Sequence, residues 1–179
     1  SAMGSALGTM VASLSAHKRG WDDQVEYFSD WGVKGQNIIE RLMKLVDEDT
    51  EAFNQILKAF RMPKSDEEEK EIRKKAIQDA TKYATKIPYT VMETSYEAFD
   101  LIEAMVEKGN PNSITDAGVG ALCITAGIEG AYMNVCVNAV DIKDKDFSEN
   151  ILSSGEKLVE SARERRDSIQ KKVFERLGV

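Results

Sequence analysis

The amino-acid sequence predicts an all-α protein that folds as a multihelical bundle in a single domain. Apolar residues recur every three or four positions along most of the chain, which is typical of the buried face of a helix, and no stretch alternates apolar and polar residues as a strand would. No internal repeat of fixed period is evident, so a single bundle is favoured. A chain of 179 residues can bury about 70% of the surface that its unfolded form exposes, and we expect residues 1–179 to form one domain.

The first half of the chain is expected to contain two helices before a proline. One helix is predicted over about 2–17, and residues 18–35 are expected to be a connection. A second helix is predicted over about 36–60 and ends near Pro63, because a proline disfavours helical geometry in the residue before it.

Three further helices are expected after Pro63. Acidic residues on the positive end of the helix dipole favour a start near residue 66, and Pro88 is expected to kink or break this helix before it resumes. After a turn at 109–112, Ser113 with Asp116 resembles a capping box and opens a helix to about residue 140. A last amphipathic helix is predicted over roughly 147–177.

Composition excludes several classes of function. Lys and Arg total 24 against 31 Asp and Glu, and the net charge of -7 argues against nucleic-acid binding. The single histidine, His17, and the absence of metal-ligand spacings argue against a metal site or a prosthetic group that needs one. The longest uncharged run, 1–16, is too short and polar to span a membrane. Cys123 and Cys136, if on one helix, lie too far apart to bridge, which suits a reducing, cytoplasmic compartment.

Asp49 is the most informative residue for chemistry. Steps of three or four along the second helix run through apolar positions such as Leu42 and Ile56, and Asp49 is the only charge on that path. Burial there would raise the pKa of the carboxyl group by desolvation, which is how a general acid or base is tuned toward neutral pH. The alternative is a structural aspartate that is hydrogen-bonded to another helix. Asp47 lies among polar neighbours and is expected on the solvated rim.

A band of small and amide side chains on the fourth helix is a second candidate binding surface. Asn134 and Asn138 lie one turn apart on it and could present donors and acceptors to the same ligand, although tight packing with satisfied buried amides explains the band equally well. Asp116 is either a first-turn acid or a pocket residue. The remaining candidates are cations that could clamp an anion or could be merely solvated: Lys18 with Arg19, and Arg61 with Lys64.

Several stretches between residue 2 and about residue 147 match one known family, in order and with almost matched spacing. They are 2–11, 45–53, 59–64, 67–70, 87–88, 109–111, 113–119, 130–135 and 141–142, with Phe147. In these stretches the chain resembles the cyclodeaminase domain of formiminotransferase-cyclodeaminase and the related bacterial methenyltetrahydrofolate cyclohydrolases.

The resemblance implies an all-helical, usually dimeric enzyme that acts on one-carbon forms of tetrahydrofolate, with no prosthetic group. It places the family's catalytic aspartate on Asp49. The amides Asn134 and Asn138 are then plausible partners of the pterin edge, and Arg61 with Lys64, or Lys18 with Arg19, of the glutamate tail, which is polyglutamylated in some folates. Small-residue faces at Gly4 and Gly8, and at 120–130, also favour a homodimer by allowing close helix contacts.

Formimidoyltetrahydrofolate cyclodeaminase is the first activity that the resemblance implies. This lyase of histidine degradation closes 5-formiminotetrahydrofolate to 5,10-methenyltetrahydrofolate with release of ammonia. Methenyltetrahydrofolate cyclohydrolase is the alternative, and a catalytically silent interaction module is a more distant one. The family usually has a Pro-Gly-Gly-Gly-Ser loop just before the first helix, and this sequence begins after the expected place of that loop.

Overall fold

The computed structural model describes residues 1–179 and confirms the all-α bundle. It contains no strands. The five helices are α1 (Ala2–Ala16), α2 (Val25–Phe60), α3 (Glu67–Lys108), α4 (Ile114–Ala139) and α5 (Lys145–Leu177), with short 3-10 turns at Asp22–Gln24 and Pro111–Ser113.

α3 lies at the centre of the bundle and packs against each of the other four helices. Its second half is apolar on almost every side, which is the pattern of a helix surrounded by protein. Phe99, Leu101 and Ile102 there are completely inaccessible to solvent. The core therefore forms around α3, and the remaining helices cover it.

α2 begins earlier than the sequence indicated, at Val25, so most of the expected connection 18–35 is helical. Phe28 is fully buried and stacks on Trp21 with ring centroids 5.6 Å apart. Gly35 lies so close to α1 and α3 that an added Cβ would strike Thr9 and Leu101. This glycine permits the close approach of three helices.

α3 runs without a break through Pro88, so of the two expectations, a kink or an end, the end is wrong. A proline cannot donate the backbone hydrogen bond to the carbonyl four residues earlier, which here belongs to Ala84. The side chain of Asn138 on α4 donates to that carbonyl instead, at 3.1 Å. Asp66 caps the start of α3 by accepting a 2.8 Å hydrogen bond from the Glu69 N–H.

α1 and α4 cross at glycines. A Cβ added to Gly4 would lie 2.5 Å from the Gly120 carbonyl oxygen, and one added to Gly8 would meet Ile102 at 2.8 Å. Gly4, Gly8 and Gly120 are therefore filled within one chain and lend no support to the expected contact between two chains, whereas nothing lies within 4 Å of a Cβ added to Gly130.

α4 starts differently from the predicted capping box. Ser113 makes no side-chain capping bond; instead Asn110 caps the preceding 3-10 turn by accepting from the Asn112 N–H at 3.1 Å. By length and apolar composition, Pro111–Ala139 could cross a membrane. In the fold this segment packs against α1, α3 and α5, which accounts for much of its apolar character.

α5 is fastened to α3 by ion pairs at both ends and in the middle. Lys82 reaches Asp144 at 2.7 Å, and Lys172 reaches Glu107 at 2.9 Å. Between them Arg165, at one fifth exposure, pairs with Glu103 at 2.8 Å. These contacts fix the register of the last helix along the bundle.

Candidate functional site

A cavity of about 460 Å³ opens where the start of α1 meets the middle of α2, α3 and α4. Its volume falls in the range of small-molecule binding sites, and apolar side chains provide most of its wall. The lining residues are Ser1, Ala2, Leu42, Met43, Leu45, Val46, Asp49, Thr50, Pro88, Val91, Gly127, Ala131 and Asn134.

Asp49 occupies a core-facing position of α2. Steps of seven residues from the buried Phe28 pass through the buried Gly35 and Leu42 and arrive at Asp49. The position is nevertheless exposed, because the cavity opens there instead of being filled by a side chain. The site is thus a gap in the packing between α2 and its neighbours, with a carboxylate in the place of a core residue.

Apolar side chains surround Asp49, as the sequence predicted, but they are exposed to solvent. Val46 and Phe53, one turn before and after it, are each 58% exposed. The burial of Asp49 that the apolar periodicity predicted is therefore not present in this structure. A ligand bound in the cavity would have to exclude solvent from the Asp49 carboxylate.

The Asp49 carboxylate has no partner within the chain. The nearby side-chain contacts are the hydrogen bond from Thr50 Oγ1 to the Val46 carbonyl at 3.2 Å and the ion pair between Lys58 and Glu51 at 3.3 Å. The structural alternative, an aspartate hydrogen-bonded to another helix, is not what the structure shows. An unpaired carboxylate beside apolar walls can accept and return a proton, and it can stabilise a cationic ligand.

Asn134 and Thr50 are the other polar side chains on the helix walls of the cavity. Asn134 Nδ2 donates to the Gly130 carbonyl at 3.1 Å, which leaves its oxygen and one N–H available to a ligand. Sequence reasoning identified Asn134 but missed Thr50, Pro88 and Val91. Thr50 follows Asp49 directly in the sequence, and Pro88 was considered only for its effect on the helix.

Several predicted site residues lie elsewhere. The Asn138 side chain donates a hydrogen bond to the Ala84 carbonyl and does not line the cavity. Asp116 is 18 residues before Asn134 on α4, so at 1.5 Å per residue the two lie about 27 Å apart. Lys18 lies over the Trp21 ring at 3.9 Å, beyond the far end of α1.

Arg61 and Lys64 follow α2 and do not line the cavity. Arg61 is 12 residues after Asp49, about 18 Å along the helix axis. Both side chains are exposed, and neither takes part in an ion pair. They could contact only a ligand that extends well beyond the cavity.

The fold and the site together define a class: a helical bundle with an apolar small-molecule cavity and one unpaired carboxylate at its wall. A sequence model described as formiminotransferase-cyclodeaminase matches residues 1–157. The chain belongs to this family.

Relatives of the chain carry two different names. It is 37% identical to the methenyltetrahydrofolate cyclohydrolase of Methylorubrum extorquens over 161 residues, covering 90% of this chain and 77% of that protein. It is 30% identical to the formimidoyltransferase-cyclodeaminase of Gallus gallus over 162 residues, which is 90% of this chain but only 30% of that protein.

A solved structure shows the same architecture. The formiminotetrahydrofolate cyclodeaminase of Thermotoga maritima superposes with a TM-score of 0.77 at 26% identity. The match covers 99% of this chain and 82% of that one, so it includes all five helices.

Proposed function

We propose that this protein acts on the one-carbon unit that joins N5 and N10 of tetrahydrofolate, with Asp49 as the group that transfers protons. The observation that carries the proposal is the position of Asp49, an unpaired carboxylate at a core-facing position in the wall of an apolar cavity. Membership of the family supplies the folate chemistry.

The cavity suits the reactive end of a folate. Leu42, Val46 and Val91 offer apolar surface to a planar ring, and Asn134 offers an amide to its polar edge. The methenyl form of the ring carries a positive charge, which the Asp49 carboxylate would stabilise. The glutamate tail would extend outside the cavity, with Arg61 and Lys64 as candidate partners.

Asp49 can serve either of the two family reactions, because both pass through a tetrahedral carbon between the two nitrogens. In hydrolysis, Asp49 takes a proton from water as the water oxygen bonds to the methenyl carbon. Asp49 then protonates the ring nitrogen whose bond to that carbon breaks, while the hydroxyl group on the carbon becomes the formyl C=O and releases its proton to solvent.

In cyclodeamination, the formimino group reacts in its protonated form, C=NH2+. Asp49 takes the N10 proton as N10 bonds to the formimino carbon and the C=N double bond becomes single. Asp49 then protonates the resulting amino group, whose bond to the carbon breaks, so that it leaves as ammonia and the carbon keeps the cationic methenyl form.

Of the two reactions we place hydrolysis of 5,10-methenyltetrahydrofolate first. The bacterial cyclohydrolase is 37% identical over most of both chains, whereas the avian relative is 30% identical over less than a third of its own length. This reverses the order that the sequence alone favoured. Cyclodeamination stays as the second candidate, since the Thermotoga maritima protein of that name matches this chain almost end to end.

Two further proposals concern the oligomeric state of the protein and its cellular compartment. A homodimer would cover apolar side chains that α1 and α4 leave in solvent, among them Met3 at 70% exposure and Val137 at 71%. The two free cysteines suit a reducing, cytoplasmic compartment.

One pair of assays tests the proposed function. The purified protein is given either 5,10-methenyltetrahydrofolate or 5-formiminotetrahydrofolate. Loss of methenyl absorbance above the buffer rate supports the cyclohydrolase, and a rise in methenyl absorbance with ammonia release supports the cyclodeaminase. Absence of both signals in a folded sample contradicts the proposal.

A further inference from the structure

Pro88 is both a wall of the Asp49 cavity and a defect in the hydrogen bonding of α3. It is buried and lines the cavity opposite α2. Because proline has no N–H, the carbonyl of Ala84 loses the donor that an ordinary helix would provide. Ala84 is only 6% exposed, so water is poorly placed to replace that donor.

Asn138 supplies the missing donor from a neighbouring helix. Its Nδ2 reaches the Ala84 carbonyl at 3.1 Å and so joins α4 to α3 just before the proline. Asn134, one turn earlier on α4, lines the cavity beside Pro88. The Asn138 bond therefore sets how the two cavity walls, Pro88 on α3 and Asn134 on α4, stand relative to each other.

We infer that Asn138 is a positioning residue, which holds the α3 wall of the Asp49 cavity by replacing the hydrogen bond that Pro88 removes. It acts through Ala84 and Pro88, without touching the substrate. This role differs from a contact with the pterin edge, and it requires that the effect of Asn138 depend on the proline.

A double-mutant cycle tests this dependence. Asn138→Leu is made in the native chain and in Pro88→Ala, where the new backbone N–H of residue 88 can donate to the Ala84 carbonyl. In the native chain we expect Asn138→Leu to lower Tm by roughly 3–8 °C, because a buried carbonyl loses its partner. In the Pro88→Ala chain, compared with that chain as its own reference, we expect little change in Tm.

Measurements of KM and kcat separate a positioning role of Asn138 from a purely structural one. They rest on the proposed function. Asn138→Leu in the native chain should raise KM about fivefold or more, because a displaced wall weakens substrate positioning. The effect on kcat should be smaller, since Asp49 is carried by α2. In the Pro88→Ala chain the same substitution should leave KM nearly unchanged. Asn134→Leu is the matched control, and should raise KM equally in both chains because Asn134 lines the cavity itself.

Each other outcome overturns the inference. Equal effects of Asn138→Leu in both chains would mean that Asn138 does not act through the Ala84 carbonyl. If the effect of Asn138→Leu on Tm depends on Pro88 but KM does not change, Asn138 has only a structural role. If neither folate turns over, the proposed function fails, and the positioning role of Asn138 is then tested by the NMR resonance of the Asn134 side-chain amide. A shift of this resonance that Asn138→Leu causes only with Pro88 present supports the positioning role. The absence of a shift refutes it.

Discussion

Asp49 shows how the position of a residue on a helix can be predicted while its surroundings differ from expectation. Periodicity located it on the core-facing side of α2, and the structure confirms that register. Periodicity could not show that the core is open at this point, because the size of a gap depends on the side chains of α3 and α4. The carboxylate is exposed and unpaired as a result.

Replacing Asp49 with Asn should therefore separate activity from stability. We expect turnover to fall by roughly 10²–10⁴-fold, because the amide cannot transfer a proton. Tm should stay nearly unchanged, because the carboxylate has no partner to lose. Single-turnover rates and thermal melts measure the two effects.

Asp47→Asn is the matched control for this substitution. Asp47 is exposed on the same helix but does not line the cavity. It should change neither quantity appreciably. Near-normal turnover in a folded Asp49→Asn protein would contradict the catalytic assignment.

At the scale of the helices, the glycines of α1 determine how closely it packs. An added methyl group at Gly4 would press on backbone, the Gly120 carbonyl at 2.5 Å, and so would force α1 and α4 apart. We expect Gly4→Ala to lower the free energy of unfolding by about 1–3 kcal/mol. Chemical denaturation with urea measures this change.

Gly32→Ala provides the opposite case within α2. Nothing lies within 4 Å of a Cβ added there. The substitution should raise the free energy of unfolding by up to about 1 kcal/mol, because alanine favours the helix interior. Destabilisation by both substitutions to the same extent would show that the crossing of α1 and α4 is not the cause.

The attachment of α5 should depend on pH. Hydrogen bonds from Lys82 and from the Phe147 N–H lower the pKa of Asp144. A lowered carboxyl pKa stabilises the fold above the unfolded value, about 4, and that stabilisation is lost as pH falls through the folded value. The Tm of the native chain should exceed that of Asp144→Asn at pH 6, and the two should converge toward pH 3.

Asp141→Asn is the control for this pH series, because the Asp141 side chain is exposed and has no ion pair. It should follow the native chain at every pH. Equal Tm values for Asp144→Asn and the native chain at pH 6 would rule out a contribution from the Lys82 contact.

The helices themselves were largely predictable, and the exceptions share a cause. The start of α2 and the continuity of α3 both depend on contacts between helices: Gly35 against Thr9 and Leu101, and Asn138 against Ala84. Local propensity treats glycine and proline as breaks and contains no information about such partners. For Asn138 the sequence left a ligand contact and a satisfied buried amide both open, and the structure shows the second.

At the scale of the whole molecule, the exposed apolar side chains of α1 and α4 predict self-association. Sedimentation at micromolar concentration should give a mass of about 40 kDa, twice the 19.9 kDa of one chain. Val137→Lys should reduce it to the monomer mass by placing a charge in the contact. A native mass near 20 kDa would contradict the homodimer.

The cavity also divides the molecule into two parts that should respond differently to a ligand. Residues of α1, α2, α3 and α4 line it, and α5 contributes none. A bound folate would suppress the opening of the first four helices by mass action but would leave the fraying of α5 almost as it was. Hydrogen exchange should accordingly slow in α1–α4 and change little in the second half of α5.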